Sequence, residues 1–166
     1  FGREIIPAAI ESGRVQAFVE NGYWRDIGTI RSFHEANLEL TAPVPELDLY
    51  DPLHPVFTRP RFLPGCKING CTVERSILSD GSILSGSRVS DSIVGVRAVL
   101  AEGVVLERTV MMGATIFERE TSDSARVPLG IGRGSVVRDA IIDLDARIGE
   151  GCRLTNESGI QHLDAE

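Results

Sequence analysis

The sequence predicts a mainly β chain: a left-handed parallel β-helix preceded by the edge of a mixed α/β unit. Three observations predict it. Residues 131–154 read in sixes, as Ile131-Gly-Arg-Gly-Ser-Val, a shortened unit at Val137, Ile142-Asp-Leu-Asp-Ala-Arg and Ile148-Gly-Glu-Gly-Cys-Arg, ending on Leu154. Each unit opens on an aliphatic residue, its second place is mostly small or acidic (Gly132, Asp143, Gly149), and its fifth is small (Ser135, Ala146, Cys152). The same pattern stands upstream as Leu78-Ser-Asp-Gly-Ser-Ile, Val94-Gly-Val-Arg-Ala-Val and Leu100-Ala-Glu-Gly-Val-Val. A period of six suits neither a helix of 3.6 nor a hairpin sheet; it suits a solenoid in which each hexad supplies one short strand and one corner. The aliphatic side chain turns inward and stacks on its counterpart one coil away. The small fifth residue turns inward too, where a narrow triangular prism has little room.

The remaining elements follow in chain order. Residues 4–11 place Ile6, Ala9 and Ile10 on one face of a short helix, with Pro7 tolerable in its first turn. Val15-Gln-Ala-Phe-Val alternates like a strand, and Asn21-Gly22 predicts a hairpin turn into Tyr23-Trp24. Thr29 can cap a helix running to Leu40, with Ile30, Phe33, Asn37 and Leu40 along one stripe. This is not repeat material, and residues 1–41 read as the trailing edge of another domain. Prolines 43, 45, 52, 55, 60 and 64 make residues 42–64 an extended, stiff linker. The solenoid is expected over 65–166, with a loop thrown out of one corner at about 113–129, where Thr121-Ser-Asp-Ser-Ala is polar and aperiodic. Three hexads would make a turn of about 18 residues and roughly four coils in all. The start at Phe1 and the stop at Glu166 suggest a fragment of a longer chain.

Composition narrows the function. The net charge is −7 and no Lys/Arg run is present, so neither nucleic acid nor an anionic membrane is the expected partner. No stretch reaches the ~18 apolar residues of a membrane span. Three cysteines, Cys66, Cys71 and Cys152, form no zinc motif and fit a reducing, cytoplasmic setting, with Cys152 as core filling. His34, His54 and His162 all lie outside the hexads, which leaves an acyltransferase or carbonic anhydrase of the solenoid type without its histidine.

Two places could carry chemistry. Asp26 lies between a predicted strand and a helix start, where active-site loops of α/β folds often fall, and a carboxylate suits Mg²⁺. The plainer reading is that Asp26 helps cap the helix or pairs with Arg25. Arg59 and Arg61 flank Pro60; in an extended chain i and i+2 share a side, so two guanidiniums can converge on one anion. The plainer reading there is a pair of solvated arginines.

Nearly the whole chain resembles the C-terminal portion of ADP-glucose pyrophosphorylase (glucose-1-phosphate adenylyltransferase), of the cyanobacterial and plant type. The resemblance runs through Phe1-Gly-Arg-Glu-Ile-Ile-Pro, Gly22-Tyr-Trp-Arg-Asp-Ile-Gly-Thr-Ile, Phe33-His-Glu-Ala-Asn-Leu, Tyr50-Asp-Pro and Thr58-Arg-Pro-Arg-Phe-Leu-Pro. It continues through Ser92-Ile-Val-Gly-Val-Arg, Met111-Met-Gly-Ala, Pro128-Leu-Gly-Ile-Gly and Ala140-Ile-Ile-Asp. It implies a Rossmann-like nucleotidyltransferase domain joined to the β-helix, working as a cytoplasmic homotetramer. The implied reaction makes ADP-glucose and pyrophosphate from ATP and glucose 1-phosphate by in-line attack on the α-phosphorus, for glycogen or starch synthesis. By position, Asp26 resembles one of two aspartates holding catalytic Mg²⁺, and Trp24 the aromatic beside it. Arg59 and Arg61 match positions that meet a phosphorylated effector, and Asp143 the acid beside it. Leu144 stands where the plant-like pattern has an activator lysine, which argues against 3-phosphoglycerate and toward a sugar phosphate. The partner aspartate and the nucleotide loop would precede Phe1, so this stretch alone is expected to be inactive. A non-catalytic regulatory or assembly subunit, or a relative using another nucleoside triphosphate, are the alternatives.

Overall fold

The computed structural model describes residues 2–13, 15–118 and 126–159. Helix α1 (Ile5–Ser12) and helix α2 (Ile30–Glu39) precede a parallel β-helix. Its first coil is β1 (Lys67–Asn69), β2 (Thr72–Glu74) and β3 (Ile77–Leu78), and its second β4 (Ile83–Ser85), β5 (Arg88–Ser90) and β6 (Ile93–Val94). The third is β7 (Val99–Leu100), β8 (Val105–Glu107) and β9 (Val110–Met111). The fourth is β10 (Gly130–Ile131), β11 (Val136–Arg138) and β12 (Ile141–Ile142), and β13 (Arg147–Ile148) with β14 (Arg153–Leu154) starts a fifth. Each coil gives one strand to each face, so three parallel sheets run along the prism, with strand orders 1-4-7-10-13, 2-5-8-11-14 and 3-6-9-12.

The core is a set of columns. Leu84, Val89, Val94, Leu100, Leu106, Met111, Ile131 and Val137 point inward and are almost wholly buried. The expected small residues line the corners: Ser82, Ser87, Ser92 and Ser135 are buried, and each hydroxyl bonds to backbone or to the next coil. Ser92 Oγ, for example, donates to Ser90 O at 2.7 Å and accepts from Thr109 N at 3.0 Å. Among the described residues no buried side-chain polar atom lacks a partner, as a stable interior requires.

Two expectations are corrected. The turn is shorter than 18 residues: Ile68 registers with Leu84 and Leu84 with Leu100, a step of 16, while Val89 registers with Leu106 and Ile131 with Ile148, a step of 17. Shorter turns starting at Lys67 give more coils than four. One residue is saved in every coil at the corner where Arg75, Asp91, Arg108 and Asp139 all have φ between +40° and +48°, and the 16-residue steps save a second at the corner held by Gly70 (φ +62°) and Gly86 (φ +53°). A single left-handed residue turns the chain there in five residues rather than six. The strain is offset along the stack, since Arg75 Nε donates to Asp91 Oδ1 at 2.6 Å and Arg108 Nε to Asp139 Oδ1 at 2.7 Å. The second correction is that residues 15–23 form no strand. A lone hairpin needs a third strand or a helix against its apolar face, and Phe18, which would supply it, is 87% exposed.

Thr29 does cap α2: its hydroxyl accepts from Ser32 N, and Ser32 answers by accepting from Thr29 N. The helix then docks on the solenoid at β9, burying Ala36 and placing His34 Nε2 2.8 Å from Arg108 O, to which it donates. The break in the coils lies between β9 and β10, as expected, though Thr121-Ser-Asp-Ser-Ala falls outside the described residues. So do His162 and the solenoid's expected extent beyond 159.

Candidate functional site

Asp26 stands on an extended stretch gripped by α2. Tyr23 Oη donates to Glu39 at 3.1 Å; burial first, and then this bond, push its hydroxyl above the usual tyrosine range. Arg25 pairs with Glu39 at 3.0 Å and Glu35 at 3.4 Å. Both plainer roles for Asp26 are thereby taken by others, for Thr29 caps the helix and Arg25 has other carboxylates. The Asp26 carboxylate has no partner among the described residues, and Trp24 beside it is 79% exposed. Among the described residues no group of three His, Cys, Asp or Glu could hold a metal ion. Asp26 therefore offers a single hard oxygen ligand. That fits Mg²⁺ as one of the one or two carboxylates it takes beside water and phosphate oxygens, and would not fit a closed zinc site.

The structure brings Arg59 and Arg61 together on one concavity of about 350 Å³, as the i, i+2 argument expects. Its other walls come from the solenoid: Arg97, Ala114, Thr115 and Leu144. Arg97 sits 5.6 Å from the Phe117 ring centroid, and its Nη1 donates to Ala114 O at 3.3 Å. The Phe117 ring rests over Gly81, where an added Cβ would lie 3.0 Å from the ring and φ is +73°. Thr115 donates through its N and its hydroxyl to Asp145, both at 2.8 Å, and these bonds hold the Asp145 carboxyl below the usual carboxylate range. Asp143 does not line the concavity; its Oδ1 accepts from Leu144 N at 2.7 Å, and Leu144 makes the wall.

Sequence reasoning missed Arg97 and Thr115. The signal was present in Val94-Gly-Val-Arg, where an arginine holds a left-handed corner, φ +55°, that a glycine would suit better. The loop base is fastened by Glu118, which accepts from Leu129 N at 2.7 Å and pairs with Arg147 at 2.7 Å. Cys66 and Cys71 pack against the core and bond to Ser82 and Ser87, while Cys152 is half-buried; all three are free thiols. Among the described residues no helix is long and apolar enough to cross a membrane.

Residues 61–166 match the family described as "GLGC left-handed parallel beta-helix domain", and residues 1–42 match "Nucleotidyl transferase". The chain is similar to "Glucose-1-phosphate adenylyltransferase large subunit 1, chloroplastic/amyloplastic" of Zea mays, 43% identical over 169 aligned positions that cover 99% of this chain and 33% of the relative. It thus spans about a third of that curated relative's length. The chain belongs to the GLGC left-handed β-helix family and carries nucleotidyl transferase sequence ahead of the helix, the two parts that the adenylyltransferase resemblance implies.

Proposed function

We propose that the chain is the C-terminal part of a nucleotidyltransferase that makes ADP-glucose and pyrophosphate from ATP and glucose 1-phosphate, feeding glycogen or starch synthesis. The observation that carries this reading is the 43% identity with the maize adenylyltransferase, which extends across both the Asp26 segment and the arginine concavity. In this reading residues 1–41 close the catalytic domain, 42–64 link it, and the solenoid from 65 onward serves regulation and subunit contact.

Asp26 would hold Mg²⁺, whose chemistry is to neutralise phosphate charge during an in-line displacement. The chain's own contribution is placement. Tyr23 and Arg25 fix the stretch to α2, leaving Asp26 and Trp24 open toward the substrate side. Arg59 and Arg61 would hold the phosphate of an effector, with Asp143 nearby and Leu144 giving an apolar wall that suits a sugar phosphate better than 3-phosphoglycerate. A route from effector to catalysis is short: β9 touches α2 and leads within three residues to Ala114 in the concavity. In this reading the assembly is the homotetramer that the adenylyltransferase resemblance implies, and the three free thiols suit a reducing, cytoplasmic location. The maize relative is named for a plastid and as a large subunit, which favours a second reading of this chain as one kind of subunit in a mixed assembly.

Asp26→Asn in the full-length protein tests the catalytic part. It keeps size and polarity but removes the charge, and should lower kcat by about 10²-fold or more, since metal placement contributes several kcal/mol. Full activity in a folded Asp26→Asn variant would remove the metal assignment.

A further inference from the structure

On the solenoid, Arg75, Arg108, Arg133, Arg138, Arg147 and Arg153 each pair with a carboxylate, and among the described residues Arg88 does not. Arg59, Arg61 and Arg97 have no carboxylate partner among the described residues, yet these three line the same concavity, in a wall without Asp or Glu. Three guanidiniums facing one small space repel one another unless an anion joins them, so the arrangement is complementary to a ligand of at least two negative charges. Of the two acids flanking Leu144, Asp143 accepts from Leu144 N and Asp145 from the N and hydroxyl of Thr115, and neither lines the concavity.

Arg97 differs from the other two in being held. Its stem packs near Gly81, its face lies on Phe117, and one N–H goes to Ala114 O. A guanidinium has five N–H donors, so this hold leaves most of them for a ligand. Arg59 and Arg61 lack such support, apart from a 3.5 Å contact of Arg61 Nη1 with Arg59 O. We propose that Arg97 is a third anion-binding residue of this site, the pre-set one, which receives a phosphate group that Arg59 and Arg61 then close upon. The inference rests on the reading of Arg59 and Arg61 as an effector site, and adds the solenoid's own residue to it. It also makes the solenoid sense the ligand directly, since Arg97 is tied through Ala114 and Phe117 to the strand of chain leaving β9.

The test is calorimetric binding of inorganic phosphate to the full-length protein, which needs no turnover. Arg97→Gln should weaken phosphate about thirtyfold, the scale of one charge-assisted pair. Phe117→Leu, which loosens Arg97 but keeps its charge, should weaken it only about threefold. Equal losses in the two variants would make Arg97 a support for the neighbouring chain and overturn the proposal. Wild-type affinity in Arg97→Gln, with binding lost in Arg59→Ala/Arg61→Ala, would overturn it while leaving the two-arginine site standing. Unchanged affinity in every variant would sink both readings.

Discussion

Replacing Gly132 with alanine should unpick the end of the solenoid, and the structure sets the size of the effect. A Cβ at Gly132 would lie 2.6 Å from the carbonyl carbon and oxygen of Gly149 and 2.7 Å from Glu150 N, all backbone of the next coil. Ordinary contact begins near 3.4 Å, so that coil must retreat by about 0.8 Å. Gly132 N donates to Ile148 O at 2.8 Å. Stretched by that much, the bond passes out of hydrogen-bonding range. Overpacking of this kind costs about 1–3 kcal/mol, and the lost bond about 1 kcal/mol more. The control is Gly134→Ala, where φ is +67° but nothing lies within 4 Å. Only the left-handed conformation opposes alanine there, at roughly 1–2 kcal/mol. Native-state hydrogen exchange reads the difference coil by coil, because a solenoid's coils contact only their neighbours. In Gly132→Ala the amides of Gly130 and Val136, bonded to Ala146 O and Cys152 O, should exchange about 30-fold faster or more. The amide of Ile83, bonded to Ala98 O in earlier coils, should not change. If Gly132→Ala exchanges no faster than Gly134→Ala, coil-to-coil contact is not why the position is small.

Two further predictions concern the loop base and the effector. The Arg147 guanidinium, and then the Leu129 amide, hold the Glu118 carboxyl below the ordinary glutamate value. A depressed pKa contributes stability that is present above the unfolded value and lost as pH falls through the folded one. Protection of the Leu129 amide should therefore fall on acidification, in the range below the ordinary glutamate pKa, and be low and pH-independent in Glu118→Gln; a flat wild-type profile would contradict this. If the concavity is the effector site proposed above, inorganic phosphate should inhibit the proposed reaction of the full-length protein, and Arg59→Ala with Arg61→Ala should raise the half-inhibiting concentration at least tenfold while sparing the basal rate. An unchanged inhibition curve would show that the concavity is not where phosphate acts.

The solenoid was legible because its core obeys a short linear rule: an aliphatic residue enters a column, and a small one turns each corner. What the rule hid was the five-residue step. At the corner that recurs in every coil it depends on Arg75, Asp91, Arg108 and Asp139 holding a left-handed conformation that glycine usually marks, as Gly70 and Gly86 do at the second short corner, and it is stabilised by ion pairs between coils. Pairing across coils leaves no local signal. The same reason separates Arg59 and Arg61, neighbours in one extended segment, from Arg97 and Thr115, which reach the concavity from separate stretches of the solenoid. The Thr29 cap was local and was found. The hairpin at Asn21-Gly22 had the right local letters, but the exposed Val15 and Phe18 show no partner surface among the described residues. Asp26 is the opposite case. Its spacing favoured capping or pairing with Arg25, and the structure gives both tasks to other residues.

The proposed reaction joins ATP to glucose 1-phosphate. The most direct measurement is pyrophosphate release by the full-length protein with glucose 1-phosphate and Mg²⁺, run in parallel with ATP, UTP, GTP and CTP. Turnover should be selective for ATP and abolished in Asp26→Asn. Turnover with another nucleotide would move the chain to a different sugar-phosphate reaction, and none with any of the four, from a folded assembly, would contradict the catalytic reading in favour of a regulatory subunit.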